Sequence, residues 1–424
     1  MYIFDTSPYT SDPLRFTEEE IKNMLPPTYK AWKDSYLTFD FELGREHEKV
    51  NLRPEQCWWF AWKILRPFFQ SKGYRLYDYD PQNDPGRLPR IVDSPSADSF
   101  GLYGDPSKAI SHMDQNSTIF GARDSLNRDV VIKLVDKHSP DRPESSIELQ
   151  ILRLLNSPPL RANTRNATVP VLEFLEFHGW IFIVMPTHDC CDAYFLLSSR
   201  ECLDFACQVL EALSFLHEHN IAHLDVSHEN IMINYRGDIP KKRPWDKIKE
   251  DFVTHEEPPE FRSTFPIKYT LIDFDHSAYF LPGIPRNKRL ISPSNVGRLH
   301  RAPEVSGRFK HDPFASDVYQ TAVFFFSYFG HIIDSEVPGL LELLQDMSSI
   351  YPPDRISMAE AATRMRTLYE KLPSHETLPR HSIEVENYYY VPRSKFRYYR
   401  EYLKWFISQK WMAILLFFGA SDFL

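Results

Sequence analysis

Glycine is scarce in this chain, with 14 in 424 residues, which argues against a glycine-rich loop wrapping its backbone closely around a phosphate. Cysteine is scarcer. The five, Cys57, Cys190, Cys191, Cys202 and Cys207, are odd in number and contain no C-x-x-C pair, so a disulfide framework and a paired-cysteine zinc site are not expected; free thiols in a reducing cytoplasmic or nuclear setting are. Positive charge is in deficit. With 49 Lys and Arg against 58 Asp and Glu the net charge is −9, which disfavours a nucleic-acid-binding surface. The strongly apolar run Trp411–Ala420 falls far short of the roughly 20 residues that span a bilayer and is bounded by Lys410. Met1-Tyr-Ile-Phe-Asp5 lacks the basic start and long apolar core of a secretory signal.

What is present is ordinary for a soluble globular protein, 42% apolar and 25% charged, and long enough for one large two-lobed domain or two to three small ones. Its chemistry concentrates in Ile221-Ala-His-Leu-Asp-Val-Ser-His-Glu-Asn230 and, downstream, Leu271-Ile-Asp-Phe-Asp275. Transfer of a γ-phosphoryl spreads negative charge, so it calls for a carboxylate to orient the attacking hydroxyl and for oxygen ligands to hold magnesium. Asp225 fits the first need; Asn230 and Asp273 fit the second, since Mg²⁺ prefers hard oxygen donors. The runs Ile231–Ile233 and Tyr269–Ile272 read as two strands that carry these groups.

The spacing from Asp225 to Asn230 matches H-R-D-x-x-x-x-N, and Asp273-Phe274 matches the start of D-F-G, so the chain resembles the protein kinase superfamily. The resemblance extends on both sides. Val130-Val-Ile-Lys133 is similar to the V-A-I-K strand, with Glu148 on the helix behind it as the partner of Lys133. Ile147, Ile151 and Leu154, with Leu152 and Leu155, give that helix a wide apolar face. Trp180–Met185 resembles the strand that runs into the adenine-binding hinge, with Met185 facing the pocket and His188 donating through its backbone; Ile119 opens the strand after the phosphate loop. Arg301-Ala-Pro-Glu304 resembles A-P-E, Ser316-Asp317 the start of the large buried helix, and Arg355 the arginine that pairs with Glu304.

The resemblance implies an α+β, bilobal kinase-like fold, with a β-rich N-lobe near 111–188 and a mostly helical C-lobe near 189–372 that carries an inserted loop, 236–268. It implies an enzyme that uses ATP and Mg²⁺ to phosphorylate Ser or Thr of a protein substrate. A pseudokinase that binds nucleotide as a scaffold, and a small-molecule phosphotransferase, are the alternatives. Departures are several. Leu224 replaces the Arg of H-R-D, Ser227 the Lys two positions after the Asp, and Asp275 the Gly of D-F-G, while His112, Asp114 and Ser117 fall where the glycine loop is expected. The interval from Asp317 to Arg355 is short, so a helix often used for substrate docking is expected to be reduced or absent.

Residues 1–110 form an accessory flank. Thr17-Glu-Glu-Glu20 reads as a capping box, stopped by Pro26, and a single helix is expected from Pro54 to Gly73, burying Trp58, Ala61, Leu65, Phe68 and Phe69. This helix is loosely similar to the flank of kinase-like proteins of basidiomycete fungi; packing on the N-lobe is expected, and an exposed docking helix is the alternative. In the C-terminal extension, 373–424, the apolar run reads as a buried terminal helix, with membrane-surface contact through the basic tract Arg393–Arg400 as the alternative.

Overall fold

The computed structural model describes residues 17–34, 58–76, 117–126, 128–138, 145–191, 196, 198–234, 267–293, 300–306, 309–330, 332–333 and 336–373. The chain divides into two compact units, the first formed mainly by residues up to Gln150 with Val169–His188, the second mainly by Ile151–Thr168, Asp189–Ile233 and the residues after the insertion.

In the first unit, α1 (Glu18–Met24) starts at the expected capping box: Thr17 Oγ1 accepts from the Glu20 amide at 3.3 Å and Glu20 Oε2 from the Thr17 amide at 2.7 Å. Then come α2 (Tyr29–Asp34), α3 (Trp58–Ile64) and α4 (Arg66–Ser71). The single helix expected over 54–73 is therefore two. Pro67 has no N–H to give the Lys63 carbonyl, and the ladder breaks at Leu65 before restarting with Pro67 in its first turn. Gly73, at φ +87°, closes α4 with the Gly73 amide on Gln70 O and the Tyr74 amide on Phe69 O, a Schellman end that needs the left-handed conformation. Ala61, Leu65 and Phe69 are buried as expected, Phe68 is half-buried, and the Trp58 side chain lies outside the described residues.

The strands β1 (Arg75–Leu76), β2 (Ile119–Arg123), β3 (Asp129–Lys137), β4 (Glu173–Phe177) and β5 (Trp180–Pro186) form an antiparallel sheet in the order β1-β2-β3-β5-β4. Residues 75–76 of the flank thus supply a strand paired with β2. His112 and Asp114 lie outside the described residues. Because side chains alternate along a strand, one sheet face presents Phe120, Ile132, Leu134, Leu175, Phe177 and Phe182, and these pack with Trp32, Trp62 and Phe69 of the flank helices into one core. Tyr74 donates to Glu173 on β4 at 2.7 Å; burial, and then this bond, push the phenol pKa up. The helix α5 (Ile147–Leu155) buries Leu149, Ile151, Leu152 and Leu155. Its buried stripe centres on Glu148 and Leu155, which leaves Leu154 half-buried and Ile147, expected in the apolar face, 43% exposed.

The second unit contains α6 (Pro158–Arg161), β6 (Asp189–Cys190), α7 (Ser199–Glu218), β7 (Ile221–Ala222), β8 (Ile231–Ile233), β9 (Tyr269–Leu271), β10 (Ala278–Tyr279), α8 (Pro313–Phe329), α9 (Leu340–Met347) and α10 (Met358–Lys371). The long helix α7 begins at Ser198, whose side chain accepts from the Glu201 amide, and α10 packs along it. Phe205 of α7 sits among Phe324, Phe325 and Phe329 of α8, within 6.3 Å of each ring, and buries an apolar surface that neither helix could cover alone. Burial pushes the Cys207 thiol up to about 12, which makes it a packing residue. The two expected strands pair antiparallel with β6 into a β6-β8-β9 ladder. Among the described residues the interval between α8 and Arg355 holds one α-helix, the eight-residue α9, and a 3-10 turn at Pro352–Asp354. The insertion 236–266 and the tail beyond Pro373, with its basic tract and apolar run, lie outside the described residues. No described helix is long and apolar enough to cross a membrane.

Candidate active site

In the first unit Lys133 Nζ donates to Glu148 Oε1 at 2.6 Å, with both residues buried. Period-two alternation puts Lys133 on the sheet face opposite the flank core, and Ile119 is its direct partner across β2–β3. Met185 pairs with Val131 and shares that face. His188, half-buried, follows β5 after Thr187, whose amide bonds the Asp129 carbonyl. Four of the residues expected at the nucleotide, Lys133, Glu148, Ile119 and Met185, therefore converge on one side of one sheet.

In the second unit the segment His223–Asn230 is pinned from several directions. The Asp317 carboxylate on α8 accepts the amides of His223 and Leu224, at 2.7 and 2.6 Å, and lies 2.9 Å from His217 Nε2. Gln320, one turn on, accepts the Val226 amide at 3.0 Å. These anchors hold Leu224 at φ +65°, a left-handed conformation costing a non-glycine residue roughly 1–2 kcal/mol. His223 Nδ1 takes the Asp225 amide, so the ring proton sits on Nε2 and goes to the Ile272 carbonyl at 3.0 Å. The Ile272 amide in turn reaches the Asn230 carbonyl at 3.1 Å. Asp273 is thereby tied through its neighbour to both His223 and Asn230. Asn230 Nδ2 donates to the Asp225 carbonyl at 2.8 Å and to Asp225 Oδ2 at 2.7 Å, which leaves Asn230 Oδ1 as its oxygen donor.

Oxygen donors from Asn230 and Asp273 fit Mg²⁺ in type. Among the described residues no group of three or more His, Cys, Asp or Glu is placed to hold a metal ion. Mg²⁺ is characteristically held by one or two side chains together with substrate phosphates, the share that Asn230 and Asp273 would supply.

Ser227, where the resemblance expects Lys, is fully buried, and its Oγ has no hydrogen-bond partner among the described residues. Ser227→Ala therefore removes an unsatisfied hydroxyl and is expected to leave the melting temperature unchanged or slightly raised, by about 1 kcal/mol or less of stability. A thermal melt showing clear destabilisation would mean that the hydroxyl is satisfied after all.

Further along, Glu304 accepts Arg355 Nη1 and Nη2 at 2.6 and 2.8 Å and Ser316 Oγ at 3.0 Å, while Arg355 also donates to the Ser349 and Ala315 carbonyls. The pair expected from sequence forms. The anchoring roles of Asp317 and Gln320 were not read from sequence, although polar residues inside a phenylalanine-rich helix signal buried partners.

A family model described as protein kinase domain matches residues 115–333, just over half of the chain. The chain belongs to the protein kinase family. The serine/threonine-protein kinase dkf-2 of Caenorhabditis briggsae is 32% identical over 156 residues, which cover 34% of this kinase and 12% of that protein. The serine/threonine-protein kinase US3 homolog of Cercopithecine herpesvirus 9 (strain DHV) is 32% identical over 98 residues, 22% of this kinase and 26% of the viral protein. The kinase thus spans a small part of the length of either relative. Its sheet-rich first unit and mostly helical second unit are consistent with the α+β, two-lobed fold that a protein kinase domain implies.

Proposed function

We propose that this chain is an active, ATP- and Mg²⁺-dependent protein kinase that phosphorylates Ser or Thr hydroxyls of protein substrates. The observation that supports the reading is the double hydrogen bond from Asn230 to Asp225, which fixes the carboxylate and leaves the Asn230 amide oxygen for a cation, as phosphoryl transfer would need. Asp225 orients the acceptor hydroxyl and takes its proton as the oxygen bonds the γ-phosphorus and the bond from that phosphorus to the β,γ-bridging oxygen breaks, with ADP as the leaving group. Asn230 and Asp273 hold the cation, which when bound neutralises charge on the phosphates. Lys133, steadied by Glu148, grips the α- and β-phosphates, with Ile119, Met185 and the His188 backbone at the base. Both relatives are Ser/Thr kinases by name, which supports the choice of acceptor. The Glu304–Arg355 pair speaks against a small-molecule phosphotransferase, a class without that activation segment. Cys190 and Cys207, free among the described residues, suit a cytoplasmic or nuclear setting.

A nucleotide-binding pseudokinase is the second reading, favoured by Ser227, which brings no positive charge to the transferred phosphoryl. A nucleotide titration with and without Mg²⁺, then a phosphotransfer assay on the same preparation, separates the two. Binding without transfer to any protein, or to the chain itself, makes it a pseudokinase.

Lys133→Met tests the nucleotide assignment. It removes a charge-assisted contact and is expected to weaken MgATP binding roughly 10- to 100-fold while the far-UV circular dichroism stays native. Equal affinities in calorimetry would remove Lys133 from the site.

A further inference from the structure

Trp32 and Trp62 belong to the flank, upstream of the matched kinase domain, yet both indole N–H groups donate to one atom, the carbonyl oxygen of Ser117, at 2.5 and 3.0 Å. Both tryptophans have 0% exposure. A buried indole needs an acceptor, and a carbonyl has two lone pairs; here the two needs close on a single backbone atom. The Ser117 hydroxyl returns a bond to the Lys33 carbonyl at 3.1 Å, at the end of the same helix, α2. The rings are fixed in turn. Trp62 stacks between Phe69 and Phe120, at 5.8 and 5.2 Å, and Trp32 lies edge-on to Trp180 at 4.7 Å.

Ser117 stands where the chain enters β2. Two residues on is Ile119, directly across from Lys133, while the described part of β1 pairs with Ala122 and Arg123 at the other end of β2. The lead into β2 is therefore held by β3, through the Leu134 amide on the Thr118 carbonyl at 2.8 Å, and by the two tryptophans on the Ser117 carbonyl. Close-packed cores transmit displacement, so a shift of Ser117 moves Ile119 relative to Lys133.

We infer that Trp32 and Trp62 are positioning residues of the nucleotide site, fixing the start of β2 through the Ser117 carbonyl so that Ile119 is held against the base. This rests on the ATP reading above. Trp62→Phe and Trp32→Phe remove the N–H together with part of the ring, so each is compared with 3-benzothienylalanine at the same position, which keeps the bicyclic ring and lacks the N–H.

The test uses the full chain, with two readouts. Hydrogen exchange without nucleotide is expected to speed up at amides 118–121 in either variant, with β5 unchanged. Calorimetry is expected to show MgATP and adenosine weakened by the same factor, roughly fivefold, as for one lost hydrogen bond; Lys133→Met, which loses the phosphate contact and the Glu148 pair but no contact to the base, spares adenosine. Unchanged exchange overturns the anchoring, and faster exchange with unchanged affinities overturns the positioning role. If wild type binds neither ligand, the ATP reading fails and the positioning role with it, while the exchange arm still decides whether the tryptophans anchor β2.

Discussion

Asp225→Asn is expected to leave MgATP affinity nearly unchanged while phosphotransfer falls by roughly 10²–10⁴-fold, the range for losing a positioned proton acceptor. The substitution is close to isosteric. Its amide oxygen can still accept from Asn230 Nδ2, and the backbone bonds of Asp225, from its amide to His223 and from Asn230 to its carbonyl, are untouched. What disappears is the negative charge that orients the acceptor hydroxyl. Asp273→Asn is expected to differ, weakening Mg²⁺-dependent binding as well, because its carboxylate is assigned to the cation. Calorimetry with and without Mg²⁺, beside a phosphotransfer assay, distinguishes them. Indistinguishable variants would dissolve the assignment of roles, and a wild type as inactive as Asp225→Asn would make the chain a pseudokinase.

Glu304→Ala is expected to cost roughly 3–5 kcal/mol, because it strands the buried Arg355 guanidinium without its carboxylate. The corresponding fall in melting temperature is about 10 °C or more. Glu370→Ala, at an exposed position on α10, serves as the control and should stay near wild type. The deficit should also depend on pH. Burial by itself would raise the Glu304 pKa, but the hydrogen bonds and charge of Arg355 outweigh it and hold the carboxyl below its usual 4.5. A carboxyl depressed in the folded state contributes stability that is present above 4.5 and is lost as pH falls through its lower folded value. The gap between wild type and Glu304→Ala should therefore narrow in acid. A gap that stays constant down to strong acid, or no gap at neutral pH, would mean that the pair does not hold the segment.

Sequence alone determined what depends on neighbours within a few positions. The Thr17–Glu20 capping box, the strands at 231–233 and 269–271 and the end of α4 at Gly73 follow from local hydrogen bonding and alternation, which a short stretch encodes completely. The spacing of Asp225 and Asn230 and the Glu304–Arg355 pair were legible through family resemblance, since the matching motifs carry the partner with them. Other features had to await the tertiary structure. Apolar periodicity showed that the flank helices bury a stripe, but not that the stripe covers the sheet face away from Lys133, or that residues 75–76 supply the strand beside β2. Asp317 and Gln320 reach a loop more than ninety residues upstream, and Trp32 and Trp62 meet at a carbonyl 85 and 55 residues away. Burial tells a polar group that it must find a partner; only the folded chain decides which one, because distant segments are brought together by the whole core rather than by any local signal.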